Sequence, residues 1–231
     1  MRRPSSIQVN PIKLNPMSSD ADVCPLCESD TPQFFHQDQR RLYQRCEICE
    51  LIFVPQMYHL NSDAEKAVYD QHQNNAEDAG YRNFLARLAQ PLLDRLPSPV
   101  RGLDFGSGPG PVLHLMLGEA GHRVANYDKF YADDKTLLTG KYDFIAATEV
   151  VEHLASPGKE LETLWRCLGR GGLLALMTKR AQGIDAFASW HYKNDPTHIT
   201  FFSEKTFLWL AKKWNAKCDF YGNDVVIFEK T

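Results

Sequence analysis

The sequence predicts an α/β fold: an open, mostly parallel sheet flanked by helices, preceded by a small module built on four cysteines. Three observations predict it. Val100–Pro111 reads as a short buried strand that runs into a glycine-rich turn and then a helix. Apolar strands recur at 123–128, 142–148 and 173–178 and alternate with helical stretches, the pattern of strands joined by crossover helices. Ahead of them stand Cys24-Pro-Leu-Cys27 and Cys46-Glu-Ile-Cys49, two C-x-x-C knuckles.

A chain of 231 residues has room for one full α/β domain and a small extra module. Its net charge of −3 argues against a protein that wraps nucleic acid electrostatically, although a local basic patch remains compatible with it. No apolar run is long enough to cross a bilayer. Met-Arg-Arg-Pro at the start is not followed by an apolar core, so a secretory signal is not expected and the cytoplasm is the expected compartment.

Residues 1–21 are rich in Pro, Ser and Asn without periodicity and read as a flexible tail. Residues 22–57 read as a zinc ribbon. Each knuckle offers two thiolates from one tight turn, and Cys24, Cys27, Cys46 and Cys49 together complete a tetrahedral shell around structural zinc. Two disulfides or redox-active pairs are the alternative. Between the knuckles, 33–36 and 41–45 read as short strands. Arg40, Arg41 and Arg45 read as a solvated face that is able to meet an acidic partner. Residues 58–98 read as a helical cap or linker, with one helix from Ala64 to about Gln73 and a second over Gly80–Leu96, where Phe84, Leu85, Leu88, Leu92 and Leu93 recur at helical spacing around Pro91.

In the organising stretch Leu103 and Phe105 belong to the strand. Asp104 precedes three alternate glycines, Gly106, Gly108 and Gly110, and Pro111 suits a first helical turn. A dinucleotide fingerprint would need its third glycine at Pro111. A carboxylate at Asp104 would repel a pyrophosphate and suits a cationic or amino-bearing ligand. The run Leu-Asp-Phe-Gly-Ser-Gly-Pro-Gly resembles the first motif of the class I S-adenosylmethionine-dependent methyltransferases, of the UbiG-like or methyltransferase-23 type, over roughly Pro99–Lys230. The resemblance implies a Rossmann-like domain over 99–231 and S-adenosyl-L-methionine as cofactor. It implies cofactor contacts from Asp104, Gly106, Ser107, Gly108 and Gly110, and from a preceding helical cap on which Tyr69, His72 and Tyr81 face the pocket.

After the loop, a helix from Pro111 to Ala120 ends at Gly121, and the strand 123–128 ends on Asp128, where an acid takes both ribose hydroxyls of an adenosine. Only residues 129–141 separate Asp128 from the next strand, too few for the usual helix and third strand, so that third-strand region is shortened. Phe130, Tyr131 and Asp133 are candidates near adenine by position alone.

Thr148 and Glu149 close the strand 142–148 at the face where ligands bind. Glu149, Glu152 and His153 then fall at i, i+3 and i+4, one face of a helical turn. This resembles a Glu-x-x-Glu-His pattern in quinol and RNA-ribose O-methyltransferases, and implies a catalytic divalent ion as one reading. His153 as a base without metal is the other. A helix over 158–168, a turn at Arg170-Gly-Gly172 and a strand 173–178 follow. Lys179–Ser203 is irregular and rich in functional side chains, and reads as an active-site lid. Within it His198 completes a metal shell or acts as base, and His191 is its rival. A helix at 204–214 and strands 217–221 and 225–229 close the chain, with Cys167 and Cys218 expected to be buried. The expected function is methyl transfer to a small metabolite, at oxygen or carbon, or to RNA, with Glu152, His153, His191 and His198 as catalytic candidates. The alternative is a zinc-ribbon scaffold whose methyltransferase-like domain is inactive. Sugar C-methyltransferases are also similar at the front.

Overall fold

The structure is a computed structural model that describes residues 23–71, 74–97 and 99–231. The expected tail and His72 lie outside the described residues.

The described residues open on the ribbon. The first knuckle leads into β1 (Pro32–Gln37) and β2 (Leu42–Cys46), an antiparallel hairpin, and β3 (Ile52–Phe53) pairs with β2. Next come α1 (Ser62–Tyr69), capped by Asn61, and α2 (Ala79–Leu93), capped by Asp78 through the N–H groups of Gly80 and Tyr81. Leu85, Leu88, Ala89 and Leu92 bury the stripe that their spacing predicts, and Pro91 is accommodated inside α2.

The main sheet begins with β4 (Arg101–Phe105), followed by α3 (Leu113–Glu119), β5 (Arg123–Tyr127), β6 (Tyr142–Thr148), α4 (Pro157–Cys167) and β7 (Leu168–Met177). Then follow α5 (Ile184–Ser189), β8 (Thr200–Phe201), α6 (Glu204–Trp214), β9 (Lys217–Tyr221) and β10 (Val225–Glu229). Strand order is β5-β4-β6-β7-β10-β9, parallel from β5 through β7 and antiparallel at β10 and β9. This is the Rossmann-like sheet that the resemblance implies, one strand short beyond β5. Residues 129–141 supply only a bridge between Asp128 and Ala132 and a short 3-10 turn at Lys135–Thr139.

Alternation along β6 explains the two cores. Phe144 and Ala146 face α2 and α3, while Ile145 and Ala147 face α4 and α6. A Cβ at Gly102 would lie 2.1 Å from the Phe144 ring, so β4 takes a glycine there. The second core runs without a break into the ribbon through Cys24, Leu26, Cys46, Cys49 and Leu51. At that junction Gly158 on α4 sits against the first knuckle. Its N–H bonds Pro25 O at 3.1 Å, and a Cβ there would lie 2.4 Å from Leu26 O.

Four expectations are corrected. The helix after the glycine loop starts at Leu113, because Gly110 and Pro111 belong to the turn itself. β7 starts at Leu168, five residues early. The Gly169–Gly172 run is a bulge in that strand, with Gly171 at φ +75° bonding Lys230 O. Cys218 is only half-buried, since β9 is the sheet edge. Finally, 179–203 is not a free lid: β8 pairs with β3, and Phe187, Tyr192, Ile199 and Phe201 pack with Tyr43, Ile52 and Val54 of the ribbon.

Candidate functional site

A cavity of 430 Å³ opens where β4, β5 and β6 end. One end is built by the glycine loop. The N–H groups of Gly106 and Ser107 bond Tyr127 O at 2.7 and 3.2 Å, which ties the loop to the tip of β5. Gly106 has φ +75° and no room for a side chain, because a Cβ would lie 2.5 Å from Val150 Cγ2. Gly108, at φ +68°, faces open space. Asp128 lines the same end. Its Oδ1 accepts the N–H groups of Phe130 (2.8 Å) and Tyr131 (3.2 Å), and its Oδ2 accepts that of Gly108 (2.9 Å). A carboxylate has about four acceptor positions, so one on Oδ2 remains for a ligand.

Tyr81, Thr148 and Glu149 complete this end. Ser107 Oγ, Thr148 Oγ1 and Glu149 Oε1 are buried without a hydrogen-bond partner among the described residues. Three orphaned polar atoms around one hollow fit a polar ligand that supplies their partners. Asp104 and Gly110, expected in contact, lie behind the wall. Asp104 is buried at the end of β4, and burial, with the charge of Asp128 next, pushes its carboxyl up to about 7. Gly110 packs its backbone against Asn74, whose carbonyl would lie 2.7 Å from a Cβ.

His153 and His198 stand at the other end, ring centroids 4.7 Å apart, with Tyr69 edge-on to His153. His153 Nδ1 bonds Thr197 O at 3.1 Å and His198 Nδ1 bonds Tyr192 O at 2.8 Å. Carbonyls only accept, so both Nδ1 atoms carry a proton, and in the neutral ring Nε2 then carries the lone pair. Burial pushes His153 down to about 3, helped by His198, and burial lowers His198 as well, against the opposing pull of Asp195. Both rings are therefore neutral at ordinary pH.

Glu152 is fully buried behind them. Burial, with the charge of Glu149 next, pushes it up to about 8, so it holds a proton at neutral pH. The Tyr192 hydroxyl bonds Glu152 Oε1 and, at 3.1 Å, Glu149 Oε2, which links the two ends of the cavity. The spacing expected to set Glu149, Glu152 and His153 on one helical turn is corrected. Glu149 has φ +53° and its N–H bonds Met177 O, so the turn begins after it and its side chain goes to the glycine-loop end of the cavity. The ligating atoms that do converge, within 4.8 Å of one another, belong to Glu152, His153 and His198. His191 is exposed beside Lys179, 3.4 Å away, and does not line the cavity.

At the ribbon, the four sulfurs also converge within 4.8 Å, with Cys24–Cys49 at 3.5 Å and Cys27–Cys46 at 3.4 Å. Thiolates around tetrahedral zinc at about 2.3 Å would sit about 3.8 Å apart, so the cluster fits that ion. The Ile48 N–H points at Cys46 Sγ, 3.4 Å away, and stabilises a thiolate.

Sequence reasoning missed Glu65, Phe84 and Glu160, which line the cavity from α1, α2 and α4. No motif marks them; each is one turn of a helix whose orientation only tertiary packing sets. Tyr192 lies in the irregular segment 179–203, and its bridge between two glutamates carries no signal in spacing.

A family model described as a methyltransferase domain matches residues 76–219. The ubiquinone biosynthesis O-methyltransferase of Colwellia psychrerythraea is 31% identical over 87 residues, 37% of this chain and 35% of that protein, so the chain matches about a third of the relative's length. An S-adenosylmethionine-dependent methyltransferase of Archaeoglobus fulgidus superposes with a TM-score of 0.50 at 16% identity, over 64% of this chain and 94% of its own. A Methanococcus maripaludis protein assigned to the same class gives 0.50 at 14% identity, over 73% and 93%. At these identities the two structures establish the fold.

Proposed function

This chain belongs to the methyltransferase-domain family, and from that premise we propose that it transfers the methyl group of S-adenosyl-L-methionine to a small, non-anionic acceptor held beside His153 and His198. The observation that carries this reading is one cavity with the glycine loop and Asp128 at one end and two imidazoles, His153 and His198, at the other. Asp128 would take a ribose hydroxyl on its remaining acceptor position. Ser107, Thr148 and Glu149 would satisfy their orphaned atoms on the cofactor, and the carboxyl of Asp104 favours its positive charge from behind the loop.

Methyl transfer from a sulfonium is an in-line displacement, so alignment and electrostatics do most of the work. An acceptor O–H must also lose its proton. His198 Nε2 is the better base of the pair: Asp195 Oδ2 stands 3.9 Å away and supports the imidazolium, whereas His153 is held far down by burial. Glu152, His153 and His198 also fit a divalent ion, since both rings present Nε2 with Nδ1–H fixed on a carbonyl and Glu152 Oε2 has no partner among the described residues. Such an ion would supply acidity to an acceptor hydroxyl. Zinc in the ribbon is the structural counterpart, held by Cys24, Cys27, Cys46 and Cys49.

The acceptor end favours a small metabolite over RNA. Glu65, Glu160 and Asp195 line it, and Lys129, the basic residue among the described lining groups, is already paired with Glu65 at 2.8 Å. A phosphodiester would meet like charge there. The compartment remains an expectation; among the described residues no helix is long and apolar enough to cross a membrane. The intact cofactor end does not favour an inactive scaffold. Calorimetry with S-adenosylmethionine, followed by a labelled-methyl screen over small metabolites and bulk RNA, tests the proposal. Folded protein that gives no heat would end it, and label on RNA alone would end the choice of acceptor.

A further inference from the structure

The ribbon hairpin does more than pack. Arg41, immediately before β2, is 6% exposed and directs its guanidinium at one short turn of the distant segment. Nη2 donates to Lys193 O at 2.5 Å and to Asp195 O at 2.8 Å, and Nη1 donates to Pro196 O at 3.3 Å. Nε donates to the Tyr43 hydroxyl at 3.1 Å. Asp38, at the hairpin turn, adds a second tie by accepting from Lys193 Nζ at 2.8 Å. Two residues beyond the clamped turn lies His198, and beyond it Val54 N–H bonds Ile199 O and β3 pairs with β8. The stretch that presents His198 is thus fixed from the ribbon on both sides.

We propose that Arg41 is a positioning residue, which sets the 193–196 turn from the ribbon and through it fixes the imidazole of His198 in the cavity. Three carbonyls converging on one planar, five-donor group define a turn far more narrowly than a point charge does. Burial keeps water from the Lys193 carbonyl, while those of Asp195 and Pro196 lie at the more open side, so an absent guanidinium would take from Lys193 O its closest donor and the turn would rearrange. His198 Nδ1–H needs Tyr192 O in place, and Tyr192 is the residue directly before the turn. The glycine loop and Asp128 touch none of these groups; Glu149 meets them only through the Tyr192 hydroxyl, at 3.1 Å. This inference rests on the cavity being a methyl-transfer site only for its functional meaning; the positional claim can be read without an acceptor.

The test uses the full-length protein labelled with ¹⁵N-histidine. In wild type, long-range ¹H–¹⁵N spectra are expected to show His198 as a single Nδ1–H tautomer. In Arg41→Ala that signal is expected to move to a tautomer average or broaden, while affinity for S-adenosylhomocysteine stays within about threefold of wild type. Arg41→Lys keeps the charge but cannot reach three carbonyls, and is expected to show the same change if the alanine variant fails to fold. A variant with a lowered melting temperature and an unchanged His198 signal would overturn the proposal, since Arg41 would then only support the ribbon. Absence of S-adenosylhomocysteine binding in wild type would instead count against the methyltransferase reading and leave the histidine result standing.

Discussion

Replacing Asp104 by asparagine should make the ligand-free protein more stable and its cofactor preference weaker. The carboxyl is buried at the end of β4, where burial and then the charge of Asp128 push its pKa from 3.8 to about 7. At about 1.4 kcal/mol per unit, ionising it in the fold at pH 8 costs up to about 4 kcal/mol relative to the unfolded chain. The sign follows from the direction. A carboxyl raised in the fold contributes fully below its unfolded value, and that contribution is lost as pH rises through about 7. At pH 5 the folded group is still protonated while the unfolded one is ionised, and the cost is only about 1.6 kcal/mol.

Asparagine has the same shape, accepts the His114 N–H that the carboxylate accepts, and carries no charge to desolvate. For a chain of this size a kcal/mol is about 2–4 °C in melting temperature. Asp104→Asn is therefore expected to melt several degrees above wild type at pH 8 and by clearly less at pH 5, in thermal denaturation without ligand. The gain in stability has a functional counterpart. S-adenosylmethionine carries a sulfonium charge that S-adenosylhomocysteine lacks, so losing the negative charge under the loop should lower the ratio of the two affinities by roughly three- to tenfold. Equal stabilisation at both pH values, or an unchanged affinity ratio, would refute the reasoning that the fold tolerates a strained carboxylate for the sake of a cation.

Asp128→Ala removes one acceptor contact to the glycine loop at Gly108, two to Phe130 and Tyr131, and the position proposed for a ribose hydroxyl, and is expected to weaken S-adenosylhomocysteine by at least about 10-fold in calorimetry. Gly158→Ala brings a methyl against Leu26 O and is expected to destabilise the junction by about 1–3 kcal/mol, read as lowered melting with ribbon signals affected first in hydrogen exchange. Cys49→Ser should leave zinc below one equivalent by elemental analysis and lower the melting temperature, because this sulfur is wholly buried in the core that the ribbon shares with the sheet. Manganese titrated by calorimetry should bind more tightly at pH 8.5 than at pH 6.5, since the proton on Glu152 must leave first, and Glu152→Gln should abolish that binding.

What the sequence disclosed follows the range of the forces involved. The glycine loop, Asp128 and the four cysteines carry signals in motif and spacing, and the structure brings the loop and Asp128 to one cavity and the four sulfurs to one cluster. The helix Glu204–Trp214 and the strands Lys217–Tyr221 and Val225–Glu229 were legible to the residue because a capping serine, a left-handed Asn215 and a Gly222 turn punctuate them. Two errors share one cause. The helical spacing of Glu149, Glu152 and His153 was real in sequence, but Glu149 takes a left-handed backbone to bond Met177 O, a strand-to-strand contact that no local pattern announces. Likewise 179–203 reads as a lid because its aromatic and ionisable residues lack periodicity. Its partner is a hairpin about 150 residues earlier, where Arg41 reads as one more solvated arginine. A buried guanidinium is settled by three carbonyls from far along the chain, and carbonyls have no letter in the sequence. Sites assembled that way stay hidden until tertiary packing is known. The consequence here is specific: the part of the cavity readable from local motifs is the glycine-loop end, proposed for the cofactor, and the unreadable part is the histidine end, proposed for the acceptor.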